Sequence, residues 1–270
     1  MNAARKVMLI TGASGGIGAD LARHAGGKGH DLALVARNPQ ALDALADEIA
    51  ALPGRIAPRP LVFACDLAAP GGPAAVEDFL AQAGATPEIL VNNAGYGLLG
   101  PAAEADPAAQ LGIVDLNIRA LTDLTLRFAK TLVANRGRLL NVASVAAYMP
   151  GPGMAVYYAS KAYVLSFSEA LSRELAPHGV TVTTLCPGPV PTGFGDRAGF
   201  SNKMDWVKFA SMPSPAVAEA AYDAMMAGKR VVIPGLLAKV MVFACSLTPK
   251  ALLLASVAAL QLRRTKEPSS

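Results

Sequence analysis

The sequence predicts an α/β protein organised on a doubly wound parallel sheet of seven strands with helices on both faces. Three observations lead there. Short apolar runs without helical period alternate with helical stretches about seven times along the chain. Residues with unusual chemistry collect where those runs end, which is the ligand side of such a sheet. Hydrophobic residues make up 53% of the 270 and charged ones only 16%, which suits a well-buried core and excludes a disordered chain. No Pro/Gly/Ser-rich linker or charge block divides the chain. It reads as one domain over 1–270, with a core over about 6–234 and a short apolar helical extension over about 235–270.

The first strand is Val7 to Ile10, a compact run that stops at Thr11-Gly12. Parallel strands are buried on both faces and so read as continuous rather than alternating. Next, Thr11-Gly12-Ala13-Ser14-Gly15-Gly16-Ile17-Gly18 leads into a helical stretch from Ala19 to Ala25. Glycines at 12, 16 and 18 allow a tight turn, close backbone approach to a ligand and close helix–strand packing. The helix start beyond them offers free N–H groups and the positive end of a dipole, which suits a pyrophosphate. Gly12, Ser14, Gly16, Ile17 and Gly18 are thus candidate dinucleotide-binding residues. The second strand, Asp31 to Ala36, ends in Arg37-Asn38-Pro39. An acidic residue there would take ribose hydroxyls, whereas an arginine suits a 2′-phosphate, so Arg37 favours NADP over NAD.

Gln40 to Ala51 reads as a helix and Leu61 to Cys65 as the third strand, ending at Asp66. That carboxylate either accepts from an adenine amino group or caps the next turn. Pro73 to Gly84 is a helix, and Ile89 to Val91 is a fourth strand running into Asn92-Asn93-Ala94-Gly95. Amides and a glycine at that edge, Asn93 and Gly95 among them, would line the cofactor and tie adjacent strands together. Pro107 to Ala134 reads as one long helix with Asn117 in its middle, a poor interior residue unless it has a partner or a task. Arg138 to Val142 is the fifth strand, ending in Ala143-Ser144.

The helix from Val156 to Ala176 carries Tyr157-Tyr158-Ala159-Ser160-Lys161. A tyrosine four residues before a lysine shares its helix face, so an ammonium can sit near a phenol. That charge would pull the phenol below its usual pKa of about 10. A phenol tuned in this way exchanges a proton with a substrate oxygen near neutral pH. Tyr158 would reach the same lysine three residues on. Val180 to Leu185 is the sixth strand, leading into Cys186-Pro187-Gly188-Pro189-Val190-Pro191-Thr192. A loop to about Met212 holds the only tryptophan, Trp206. The helix Pro215 to Ala227 and the seventh strand, Arg230 to Ile233, complete this Rossmann-type order.

Several functions are excluded or disfavoured. Gly12-Ala13-Ser14-Gly15-Gly16 also fits the G-x-S-x-G turn of α/β-hydrolases, but only His178 lies far enough downstream, in a turn leading into a strand. One strand ahead of that turn is too few as well. A net charge of +4, with scattered basic residues, argues against nucleic acid and suits an anionic cofactor. Three separated cysteines, Cys65, Cys186 and Cys245, read as buried small hydrophobes in a reducing compartment. Three histidines without metal-ligand spacing give no metal site. Val7 to Ile10 is too short for a signal peptide, so a cytoplasmic protein is expected.

Five motifs in register, Thr11-Gly12-x-x-x-Gly16-Ile17-Gly18, Asp66, Asn92-Asn93-Ala94-Gly95, Ser144 and Tyr157-x-x-x-Lys161, resemble the short-chain dehydrogenase/reductase family in its compact single-domain branch. Pro187-Gly188 followed by Val190 and Thr192 matches too, and the resemblance covers about residues 6–234. It implies an oxidoreductase interconverting a ketone or aldehyde with an alcohol, and it selects Tyr157 over Tyr158 as general acid and base. By the same resemblance Lys161 would tune the tyrosine and bind the nicotinamide ribose, Ser144 would hold the carbonyl, and Asn117 would position a water linking Lys161 to solvent. Pro187, Gly188, Val190 and Thr192 would border the nicotinamide. The family also implies a homo-dimer or homo-tetramer through the helices near 107–134 and 156–176. A sensor or scaffold that binds cofactor without turnover is the alternative, and an epimerase or dehydratase has little room for its substrate domain.

The chain continues past this pattern with Val240 to Leu247 and Ala251 to Leu260, broken by Thr248-Pro249-Lys250. Each run is shorter than the ~20 residues that cross a bilayer. A lid over an apolar pocket, a subunit contact, or an interfacial helix helped by Arg263, Arg264 and Lys266 are the three readings. The extended apolar tail also resembles a subgroup of the family acting on lipid-like or aromatic carbonyls, which implies an apolar substrate, lipid-like, acyl or aromatic.

Overall fold

The computed structural model describes residues 4–198 and 211–264, so Trp206 and Lys266 lie outside the described residues. Seven strands form one sheet: β1 (Arg5–Thr11), β2 (Leu32–Ala36), β3 (Leu61–Ala64), β4 (Ala85–Asn92), β5 (Arg138–Val142), β6 (Thr181–Leu185) and β7 (Val231–Val232). Their order is β3-β2-β1-β4-β5-β6-β7 and every pairing is parallel. The chain therefore leaves β1 toward one edge and returns across it to β4. That reversal opens a crevice at the C-terminal ends of β1 and β4.

Side-chain alternation along β1 feeds two cores. Met8 and Ile10 pack against α1 (Gly16–Gly27), α2 (Pro39–Ala50) and the later α8 (Ser214–Met226), through residues such as Leu21, Leu42 and Val217. Val7 and Leu9 pack on the opposite face against α3 (Gly72–Gln82), α5 (Leu121–Asn135) and α6 (Ala155–Leu175), through Leu80, Leu124 and Leu171. All four β1 residues are essentially without solvent exposure.

The stretch read as one helix over 107–134 is three segments. An α-helix, α4 (Pro107–Val114), passes through a π-helical turn (Asp115–Ala120) into α5. The wider turn holds Asn117, which is buried. A short helix, α7 (Phe194–Ala198), occupies part of the stretch read as loop. The extension forms α9 (Leu236–Leu247) and α10 (Lys250–Arg264), the first beginning four residues before Val240, directly after Gly235. β4 begins at Ala85 rather than Ile89, because Ala85 to Pro87 pair with Arg5 to Val7 before a register shift at Val7/Met8.

A chain of buried amides and hydroxyls fastens β4, β5, α5 and α6 together. Asn92 Nδ2 donates to Thr125 Oγ1 and to Asn141 Oδ1, both at 2.9 Å. Asn141 Nδ2 then donates to Ser168 Oγ at 2.9 Å. Desolvated N–H donors are costly unless paired in this way, so these bonds tie together the elements that carry the crevice floor, although Asn92 Oδ1 is buried without a partner among the described residues.

Candidate active site

The crevice is built from the first strand outward. Thr11, the last residue of β1, donates its hydroxyl to the Val91 carbonyl and accepts from the amides of Asn93 and Ala94 at 3.0 and 3.1 Å. Asn93 Nδ2 donates to the Thr11 and Gly12 carbonyls at 2.9 and 3.2 Å. That amide leaves no room beside it: a Cβ on Gly18 would lie 2.4 Å from Asn93 Nδ2 and 2.5 Å from the Gly12 carbonyl oxygen. Gly16 adopts φ 55°, and a Cβ there would meet the Thr192 methyl at 3.0 Å. The loop after β6 thus sits directly on the glycine turn.

The start of α1 has no side-chain cap, unlike α2, where Asn38 accepts from the Ala41 amide, or α4, where Asp106 does the same for Ala108 and Ala109. Its first N–H groups and dipole end are directed past Gly15, where a Cβ would meet nothing within 4 Å, and past the exposed Ser14. Ile17 packs against the core and holds the turn from behind. An anionic dinucleotide fits this cradle. Arg37, exposed at the end of β2, is within electrostatic reach of Tyr96 and has no ion-pair partner among the described residues. Asp66, just past β3, spends Oδ1 on capping the Ala68 amide at 3.0 Å, which is the modest alternative for that residue. Its second oxygen carries no such bond among the described residues.

Across the crevice, β5 ends at Val142, and Ser144 caps a 3-10 turn (Val145–Tyr148) by accepting from the Ala146 amide at 3.1 Å. α6 packs its buried face, Ser160, Lys161, Val164 and Ser168, against that edge. Lys161 Nζ donates to the Val142 carbonyl at 2.9 Å and lies 5.8 Å from the centre of the Tyr157 ring. The Ser144 hydroxyl lies near enough to the Tyr157 phenol to act on its titration, so the structure brings Ser144 and Lys161 to Tyr157. Tyr158 turns its ring over Gly151, where a Cβ would lie 2.2 Å away. Asn117 Nδ2 donates to the Tyr96 carbonyl and to Ser160 Oγ at 2.9 and 3.0 Å, and its Oδ1 accepts from the Tyr96 amide. Ser160 in turn donates to the Tyr157 carbonyl at 2.7 Å. Above Gly95, Asn117 Oδ1 and Lys161 Nζ converge to 3.0 and 3.3 Å of where its Cβ would be.

The expected lowering of the phenol is not what the site does. Burial pushes Tyr157 up to about 12, and the nearby Ser144 hydroxyl draws it only partly back. Burial also pulls Lys161 down to about 8. The ammonium donates to a backbone carbonyl, and loss of water is the largest influence on both groups. Both shifts leave a neutral phenol at pH 7.

Beyond the set foreseen from sequence, the structure adds Ser160, Tyr96 and Phe194, whose ring lies 5.3 Å from that of Tyr157. Gly97 is a further contact, since a Cβ there would lie 2.8 Å from the Tyr157 ring. Ser160 was visible inside the Tyr157–Lys161 stretch, but its link to Asn117 depends on the π-helical turn. On the border side, the Pro187 carbonyl accepts from the Val145 amide at 3.0 Å, Val190 packs on the core, and Gly188 faces Ala238 of α9. His178, the one downstream histidine that a hydrolase would need, precedes β6 at the sheet's N-terminal edge, opposite Ser14. Among the described residues no group of three His, Cys, Asp or Glu could hold a metal.

A doubly wound sheet with this chemistry along its C-terminal edge defines a Rossmann-type α/β protein. The family model described as short chain dehydrogenase matches residues 6–199, and the chain belongs to that family. A curated relative, dehydrogenase/reductase SDR family member 7B of Bos taurus, is 30% identical over 195 residues; the match covers 71% of this chain and 60% of that relative's length. Among solved structures, a short-chain dehydrogenase from Sphingobium yanoikuyae in complex with NADPH is 32% identical with a TM-score of 0.77, covering 98% of this chain and 97% of that one. The bulky-bulky ketone specific alcohol dehydrogenase from Comamonas testosteroni is 29% identical with a TM-score of 0.73, over 93% and 97% of the two chains.

The Lys161 shift has a consequence for stability. Its folded pKa, about 8, lies below the ordinary 10.5, so burial of the cation opposes folding fully below pH 8 and ceases to do so above 10.5. Lys161→Met is expected to be more stable than the parent at pH 7. That gap should narrow by about 1.4 kcal/mol per pH unit between those two values. Urea midpoints at neutral and alkaline pH measure it, and a gap that does not change with pH would contradict the shift.

Proposed function

We propose that the chain is an NADP-dependent oxidoreductase that interconverts a ketone or aldehyde with an alcohol, using Tyr157 as general acid and base. The observation that carries this is the meeting of Ser144, Tyr157 and Lys161 on one side of a crevice whose other side is a capless helix start. The nicotinamide, when bound, supplies or accepts the hydride. Gly12, Ser14, Gly16, Ile17, Gly18, Asn93 and Gly95 would hold its dinucleotide, with Arg37 on the 2′-phosphate and Asp66 on the adenine. Pro187, Gly188, Val190 and Thr192 would border the nicotinamide, and the Lys161 ammonium would take the ribose hydroxyls.

In reduction, the Ser144 hydroxyl donates to the carbonyl oxygen and fixes it beside the phenol. Tyr157, neutral at pH 7, gives its proton to that oxygen as negative charge develops there. Lys161 then returns a proton toward the phenolate and is itself reprotonated from solvent, through a water that Asn117 would position. The reverse sequence oxidises the alcohol. Phe194, Tyr158 and Met154 surround the Tyr157 ring and Gly97 with apolar surface, which supports an apolar carbonyl. The Comamonas testosteroni relative is named as specific for bulky-bulky ketones, which supports a ketone as substrate.

We take 1–270 as one dehydrogenase domain, with its core over 6–234 and the extension over 235–270, working in a reducing compartment such as the cytoplasm. Cys65, Cys186 and Cys245 are all free thiols. A second copy would join along α4, α5 and α6, where Leu111, Leu126 and Tyr163 stay exposed. Light scattering should then give a dimer or tetramer mass, and Leu126→Glu should lower it; a monomeric parent would refute this contact.

Tyr157→Phe should cut carbonyl-dependent NADPH oxidation by about 10²–10⁴-fold while keeping NADPH affinity within about threefold. Unchanged turnover would remove the mechanism. Inactivity of the parent on a broad carbonyl panel, with NADPH still bound, would return the sensor reading. Loss of a charge-assisted pair in Arg37→Ala should lower the NADPH-over-NADH binding ratio by about 10–100-fold. A ratio that stays put would show Arg37 to be misassigned.

A further inference from the structure

The extension presents an apolar face that the rest of the fold does not cover. Along α9, Ala238, Met241, Val242 and Cys245 turn inward and are half-buried, with Ala238 set against Gly188. The outward stripe is Leu236, Val240, Phe243 and Leu247, with exposures of 78%, 55%, 65% and 70%. Spacings of four, three and four place these side chains on one line along the helix. Leu252 and Leu254 continue exposed apolar surface onto α10.

Charge says what covers it. From Ala224 to Lys266 the sequence holds seven basic residues, Lys229, Arg230, Lys239, Lys250, Arg263, Arg264 and Lys266, and no acidic one. The remainder of the chain holds seventeen lysines and arginines against twenty acids, so the net positive charge of the protein resides wholly in this segment. Lys239 flanks the stripe, being one position before Val240, and Lys250 opens α10. Lys229 and Arg230 precede β7 at the far edge of the sheet, so the charge beside the stripe is that of Lys239 and Lys250, and a second copy docking stripe to stripe would bring two such pairs together. An anionic lipid surface offers the opposite charge and an apolar interior at once.

We propose that α9 and the start of α10 lie flat on an anionic membrane surface, with the Leu236–Leu247 stripe inserted at the headgroup level. The helices are about 18 and 22 Å long, short of the ~30 Å hydrocarbon core, and no described helix is long and apolar enough to cross a membrane. Thr248-Pro249 breaks the pair between them. The inward side of α9 rests on the loop after β6, over a cavity of about 190 Å³ lined by Gly188, Val190, Met212, Pro234 and Leu236. Docking therefore sets the crevice close to the lipid. The attachment itself depends on the stripe and the charge, not on the redox reading.

Co-sedimentation of the full chain with vesicles tests it. The chain should pellet with phosphatidylcholine vesicles containing phosphatidylglycerol, and much less with phosphatidylcholine alone or at high salt. Phe243→Glu/Leu247→Glu and, separately, Lys239→Glu/Lys250→Glu should each weaken this binding by more than about tenfold. All four positions are on the outside, so turnover of a soluble carbonyl should be kept. Failure to pellet with anionic vesicles, or equal binding to both lipids, would overturn the proposal. So would a fall in solution mass in Phe243→Glu/Leu247→Glu, which would give the stripe to a second copy. An inactive parent that still binds anionic vesicles would sink the redox reading alone.

Discussion

An ammonium held out of water constrains the site more than any other single group. Lys161 is only 6% exposed, and removing a cation from water costs several kcal/mol unless it is hydrogen-bonded. The Val142 carbonyl at 2.9 Å supplies one bond. To reach it, α6 must lie across the end of β5, which also sets Tyr157 beside Ser144. Asn117 must enter from the other side, and Gly95 must lack a side chain, since the amide oxygen and the ammonium both crowd the place its Cβ would take. Lys161 thus links the placement of α6 to the end of β5 and to the bare Gly95.

Those segments are held by polar pins rather than by apolar packing alone. The Asn92–Asn141–Ser168 chain fixes β4 to β5 and α6, while Thr11 and Asn93 fix β1 to β4. Each pin sits at or next to the C-terminal edge of a strand, where the sheet's own ladder ends and backbone groups need other partners. The same edge is where a ligand approaches. Rigidity and exposure are thus combined: the side chains at the edge are preorganised by bonds beneath them.

Strands were the most legible part of the fold, because runs such as Val7 to Ile10 and Leu32 to Ala36 are buried from both sides and carry no polar alternation. The exceptions have local causes. Pro87 cannot donate to a ladder, and its pairing with Val7 at a register shift hid the first half of β4. Apolar spacing over 107–134 fits a continuous helix; the widened turn at Asp115–Ala120 follows from where Asn117 must bond, which is a tertiary fact. The glycine turn and the Ser144, Tyr157 and Lys161 set were legible from spacing and resemblance. Phe194 and Tyr96 were not, since their place at the site depends on how their loops close against Tyr157 and Asn117.

The pKa order at the site was illegible for a different reason, and it changes how the tyrosine–lysine pair is understood. Sequence spacing suggests an ammonium that makes the phenol acidic. Burial acts on both groups at once, raising one and lowering the other, so the phenol stands at about 12 and the lysine at about 8. A phenolate formed there is by far the stronger base of the two. In the proposed reduction, Tyr157 therefore keeps its proton until the oxygen beside Ser144 becomes more basic than a phenolate. Once that proton has gone, a protonated Lys161 is the acid best placed to restore it. The low dielectric that costs stability at Lys161 is what gives the proton its direction.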